Sequence, residues 1–305
     1  MRKIALLALI ALGITCAACW PSLVRYAALR GLLEARSNGA NLTWNGLSAG
    51  FTTVALDSLT IWIPGPRVKG TFSIPVSLEL QQISAALRPA SLLVLSPKVT
   101  FSTNLYGGVV SGEGQGQARD ASMNVTLSEI ELGKHPQLSA LGIRGGRVNG
   151  VLNGLRITPR GVEGGKFSTQ VRELALPEID AVTTLLRARD LGGIDVDTEG
   201  EVSSSAVRLS TIRLSSLFGS ATGELTIANH LTPTPSVSGS VQVSLSERGS
   251  TTIGPWLPLI PGAGLDAATS AFEVSAVSVS CSAPNNGSTV LRQRFGCVKL
   301  AFRKR

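Results

Sequence analysis

Asp195, Asp197, Glu199 and Glu201 form the densest run of potentially reactive side chains in this chain. Successive side chains of an extended segment point to opposite faces, so this spacing places all four carboxylates on one face of a strand. Such a row can hold a divalent cation loosely, but a solvated strand face is the expectation. His135 and His230 lie far apart, and no His, Cys, Asp or Glu cluster has metal-ligand spacing. Serines are plentiful, yet there is no G-x-S-x-G elbow and neither histidine sits in a recognisable motif. Gly112, Gly114 and Gly116 lack the Lys-Ser/Thr ending and following helix of a phosphate-cradling loop. The sequence reads as a non-enzyme with no cofactor, no metal site and no catalytic residue.

Four cysteines divide into two pairs. Cys16 and Cys19 lie in an apolar run, whereas Cys281 and Cys297 flank the turn-rich Ala283-Pro284-Asn285-Asn286-Gly287-Ser288. In an oxidising compartment Cys281 and Cys297 form a candidate disulfide, worth about 3 kcal/mol by chain entropy for a loop of this length. That compartment is suggested by the N-terminus. After Arg2 and Lys3, the run Ile4 to Val24 carries no charged side chain and is long enough to span a bilayer as a helix. The basic pair would stay in the cytoplasm and the chain from Arg25 onward would lie on the far side.

The small residues Thr15 to Cys19 leave the fate of this segment open between a retained anchor, a cleaved signal peptide and a lipoprotein modified at Cys19 or Cys16. Trp20, Pro21 and Tyr26 are placed to anchor at the membrane interface. The division expected is therefore 1–24 as transmembrane anchor or signal segment and 25–305 as an exported β-rich domain, with a weak subdivision near 177–193.

The net charge of +8 and pI near 9.8 do not point to nucleic acid. The basic residues are spread along strands, aromatics are 5% of the chain, and no stacking motif is present, so no nucleic-acid partner is expected. Arg25, Arg30 and Arg36 follow the anchor, and Arg303, Lys304 and Arg305 close the chain. Both ends suit an anionic surface, or plain solubility.

The elements that must position these residues have period two. Val54–Ile63, Ile74–Leu80, Val99–Leu105, Met123–Leu132, Val148–Ile157, Phe167–Leu176, Val202–Leu214, Glu224–Ala228, Val237–Leu245, Phe272–Cys281 and Val298–Phe302 read as strands with one apolar face. Two helices are expected: Leu23 to Ala35, and Pro177 to Ala188 stopped by Gly192-Gly193. Glycine turns recur before new strands, in Leu105–Gly112, Ile143–Gly150 and the shorter Leu217–Gly223. The fold class is mainly β: an N-terminal transmembrane helix, then an elongated, curved antiparallel sheet with few short helices. Such a sheet must cover its apolar face with helices or leave it as a groove.

The span ending in Trp20-Pro21, the strand Ala55–Ile61, the turn Tyr106-Gly107-Gly108-Val109-Val110-Ser111-Gly112 and the later Leu217–Leu225 pattern resemble the type II secretion system protein N family, over Met1 to Leu245. The same patterns are similar to AsmA-like envelope proteins. The Gly254–Gly262 segment and the cysteine-bearing tail match neither. The resemblance implies a single-pass inner-membrane protein with a periplasmic domain that contacts type II secretion machinery subunits, with no catalytic residues to transfer. The alternative is a lipid or lipopolysaccharide carrier whose apolar sheet face is the groove. The two readings differ over Val125, Leu127, Val207, Leu209, Val241 and Val243, which line an open trough in a carrier and fill a closed core in an assembly module.

Overall fold

The computed structural model describes residues 21–30, 32–33, 41–63, 76–92, 96–116, 120–140, 142–158, 161–175, 193–228, 236–260, 264–279, 289–293 and 296–304. It contains two compact units, Met1–Ala121 and Ser122–Arg305, each built of antiparallel strands. No helix among the described residues is long and apolar enough to cross a membrane. Residues 1–20, which hold most of the expected span together with Cys16, Cys19 and Trp20, lie outside the described residues, as does the expected helix from Pro177.

In the first unit, β1 (Asn41–Asn45), β3 (Thr53–Ile63), β4 (Val76–Leu87), β5 (Lys98–Leu105) and β6 (Gly108–Gly116) follow one another across the sheet, and β2 (Ser48–Ala49) also pairs with β3. The turn between β5 and β6 is Tyr106-Gly107, with φ of 47° and 85°. Two left-handed residues make the primed turn whose twist matches that of the flanking strands. The Tyr106 hydroxyl donates to the Ser77 carbonyl at 2.9 Å, tying the turn to β4. Residues 21–30 are helical, followed by 32–33. Leu23, Tyr26 and Leu33 are exposed along one stripe of that helix.

In the second unit the strands are β7 (Ala121–Glu131, from Ser122), β8 (Arg147–Thr158), β9 (Gly161–Leu174), β10 (Ile194–Ser203), β11 (Ala206–Ser216), β12 (Gly219–Ala228), β13 (Ser236–Leu245), β14 (Ala271–Val279), β16 (Gly296–Lys304) and β15 (Thr289–Gln293), in that spatial order. The three glycine turns singled out in sequence do introduce new strands, at Gly108, Arg147 and Gly219. The expected strand Val202–Leu214 is two strands. Ser203 Oγ accepts the Ala206 N–H and donates to the Ala206 carbonyl, both at 3.0 Å, which closes the Ser204-Ser205 turn.

Register separates the two faces of this unit. Val196, Leu214, Ala221, Val243 and Phe272 stand opposite one another across β10 to β14, as do Gly200, Leu209 and Leu225 across β10 to β12. On the other face Glu201 faces Arg208 and Lys166, Asp197 faces Arg213, and Gln242 faces Glu273.

The strand interiors approach one another closely at glycines of the apolar face, Gly223 and Gly239 among them. A Cβ on Gly223 would lie 2.2 Å from the Ser240 carbonyl oxygen, and one on Gly239 would lie 2.3 Å from that of Glu224. Glycine there lets neighbouring backbones bend toward each other on that face. Gly154 has φ of +62° but open space around it. In chemical denaturation, Gly223→Val is expected to lower stability by about 2–3 kcal/mol through overpacking. Gly154→Ala, burdened only by its left-handed backbone, should cost about 1 kcal/mol.

Candidate functional site

The acidic row is a charge-paired strand face. Asp195 Oδ1 accepts the Glu173 N–H at 2.9 Å. Asp197 Oδ1 lies 2.6 Å from Arg172 Nη2 but off the line of the guanidinium N–H bonds, so the contact is an ion pair without a directed hydrogen bond. Glu199 and Glu201 are exposed, and Glu201 stands between Lys166 and Arg208. Two adjoining open depressions occupy this face. One, of about 660 Å³, includes Asn153, Arg156, Glu163, Lys166 and Glu201 in its lining; the other, of about 500 Å³, includes Glu199, Arg208 and Ser210. Arg156 and Glu163 are 3.7 Å apart. Acids and bases alternate here, so the depressions concentrate no charge for a ligand.

His135 plays a structural part. Its Nδ1 accepts the backbone N–H groups of Gln137 (3.2 Å) and Leu138 (3.4 Å) at the start of the short helix Pro136–Ala140. His230 and Cys281 lie outside the described residues, and Cys297 sits in β16 opposite Val279 of β14 and Arg292 of β15.

The six groove candidates share a more informative environment. Val125, Leu127, Val207, Leu209, Val241 and Val243 are all half-buried. Val125 and Leu127 alternate along β7 with exposed Asn124, Thr126 and Ser128. Asn124 Oδ1 accepts the Gly154 N–H at 2.8 Å on the polar side, so alternation turns Val125 and Leu127 to the apolar side. Val207 faces Val202 and Ile227, Leu209 faces Gly200 and Leu225, and Val241 faces Gly223 and Val274. Phe167, opposite Gly200, places its ring where a Cβ at 200 would stand. Between β8 and β14 the surface is therefore aliphatic and aromatic, half open, and interrupted by glycines and by the Thr169–Thr198 hydroxyl pair.

One end of this face is covered. Between β13 and β14, the helix Glu247–Ile253 is capped by Ser246, whose Oγ accepts the Gly249 N–H at 3.0 Å, and runs into the 3-10 segment Gly254–Leu259. Leu257, 2% exposed, and Leu265 join Phe272 in a buried cluster, with Val243, Leu245, Val274 and Phe302 packed around it. Val243 thus belongs to a capped core, and it is the one groove candidate in that cluster. The sequence reading missed this cap. Its signals were present: a serine preceding the helix and Pro255 at the start of the next turn.

The cap is also latched to the last strand. Lys304 Nζ lies 2.6 Å from Asp266 Oδ2, and the Thr269 hydroxyl donates to Asp266 Oδ1 at 2.7 Å. The Lys304 bond first, and the Thr269 bond second, hold the Asp266 carboxyl below its usual range.

Comparison with known proteins returns no family model, no curated protein and no solved structure that matches the chain.

A carboxylate favoured in the folded state stabilises it above the unfolded pKa, and that contribution disappears as pH falls through the lowered folded pKa. In thermal melts Asp266→Asn should lie below wild type by a constant gap from neutral pH down to about pH 5, and the gap should close below about pH 4. A gap that persists unchanged in acid would show that the carboxylate charge does not hold the latch.

Proposed function

We propose that the chain is a single-pass inner-membrane protein of the bacterial envelope whose periplasmic Ser122–Arg305 unit binds acyl chains of a lipid or lipopolysaccharide along its apolar sheet face. It acts by binding, not by catalysis. One observation carries this reading: five of the six inward positions are half-buried away from the capped cluster, strand after strand, where a closed core would bury them. Among the described residues of this unit the buried apolar side chains are Ile130, Val237, Leu257, Leu265 and Phe272. Apolar surface left in water costs about 25 cal/mol per Å². A bound acyl chain removes that cost and gains about 0.8 kcal/mol for each methylene it buries. The polar face supplies the solubility such a carrier requires.

A second reading, as an accessory component of a type II secretion system acting through protein contacts, draws on the family resemblance and on the sheet edges. Among the described residues β1 pairs on one side with β3, and β15 on one side with β16. A partner strand added at such an edge gains affinity from main-chain hydrogen bonds.

Leu209→Asp separates the two. In the carrier, the variant unfolds cooperatively like wild type but loses the phospholipid that co-purifies with the full chain, read by mass spectrometry of extracted lipid. If the variant instead fails to fold, as followed by circular dichroism, position 209 is core and the acyl-trough reading falls.

A further inference from the structure

The apolar face of the second unit has two chemically different ends. One cross-strand row runs Thr169, Thr198, Ile212, Gly223, Val241, Val274, from β9 to β14. The rows on either side, through Val196 and through Gly200, carry only apolar side chains or glycine from β9 to β13. Thr169 and Thr198 are thus the one polar pair in these three rows, and they stand at the β9–β10 end.

Two hydroxyls bring two O–H donors, and the bond between them uses one. Neither hydroxyl makes a second hydrogen bond among the described residues. Both threonines are half-buried, and Gly150, opposite Thr169 on β8, has no side chain to cover them. A donor left over on an apolar surface suits an acceptor that arrives attached to an apolar body, as an acyl ester carbonyl does.

The other end of the row is walled. Val243 and Val274 pack against the cluster of Leu257, Leu265 and Phe272. The cap that supplies the two leucines is tied on both flanks: Ser246 Oγ donates to the Leu217 carbonyl at 2.7 Å, and Lys304 Nζ holds Asp266 Oδ2 at 2.6 Å. From Thr198 to Val274 the row takes four inter-strand steps, about 19 Å at about 4.8 Å each. One leaflet of a hydrocarbon core about 30 Å thick is about 15 Å deep. The row therefore has room for one membrane acyl chain end to end, and not for two in series.

We propose that the trough takes a single acyl chain laid across the strands, its ester carbonyl at the Thr169–Thr198 pair and its methyl end against the cap. The inference rests on the acyl-trough reading and gives the ligand a class and a direction: a phospholipid acyl ester, held at one end by a hydroxyl and stopped at the other by Leu257 and its neighbours.

The test binds two lysophosphatidylethanolamine probes to the full chain in detergent, one with a diazirine at the methyl end of its acyl chain, the other with it beside the ester carbonyl. Adducts are mapped by peptide mass spectrometry. The methyl-end probe should label Val243, Val274 or Leu257, and the carbonyl-end probe should label β9 and β10 around Thr169 and Thr198. In a chain with Thr169→Val and Thr198→Val, the preference of the carbonyl-end probe for β9 and β10 should fall about fivefold, the worth of about one neutral hydrogen bond. Thr169→Ser with Thr198→Ser, which keeps both hydroxyls, should hold the wild-type preference. Reversed labelling, equal labelling of both ends by both probes, or an unchanged preference in the valine chain overturns the direction and leaves the trough standing. Adducts confined to the polar face overturn the trough itself.

Discussion

The main constraint on this protein is that an antiparallel sheet satisfies its backbone hydrogen bonds sideways, from strand to strand, but buries its side chains only if something lies on its face. Among the described residues of the second unit the interior strands each pair on both sides, so their main chain is satisfied without a second layer. Covering the apolar face is a separate requirement. The helix Glu247–Ile253, the 3-10 segment Gly254–Leu259 and Leu265 cover one end, around Leu257 and Phe272, while Leu209, Val207 and Val241 are half-buried. Most of the functional account follows from that difference in cover.

The opposite face shows how the same strands remain compatible with water. Arg147 lies between Glu129 and Glu173, at 3.6 and 3.5 Å, and each of these glutamates occupies a left-handed backbone position within its strand. The N–H groups are not left open: Asn149 Oδ1 takes that of Glu129 at 2.8 Å, and Asp195 Oδ1 takes that of Glu173. Asp195, one of four carboxylates expected on a solvated strand face, therefore serves a strand irregularity. These exposed ion pairs contribute little stability individually. Their effect is to keep one face polar while the other stays apolar.

Period-two alternation made nearly every long strand of the second unit legible, because one wet face and one apolar face impose that pattern on the residues. The acidic row was correctly placed on one strand face for the same reason. Less legible were features set by a single side chain acting on the backbone. The three consecutive serines at 203–205 read as the interior of a strand until the Ser203 hydroxyl is seen closing a turn. The cap was hidden for another reason: Pro255, Trp256, Leu257 and Pro258 carry no periodicity, and Leu257 becomes core only through contact with Leu265 and Phe272, which no local pattern encodes. The half-burial of the groove candidates was equally beyond the sequence, since alternation names the face but not what lies over it.

The central claim is that the face left half-buried among the described residues binds acyl chains, and native mass spectrometry of the full chain, extracted from cells into detergent without added lipid, tests it most directly. The account predicts a stoichiometric phospholipid or lipopolysaccharide species that survives gentle activation and is lost on harsher activation. A lipid-free chain that carries protein subunits instead would contradict it.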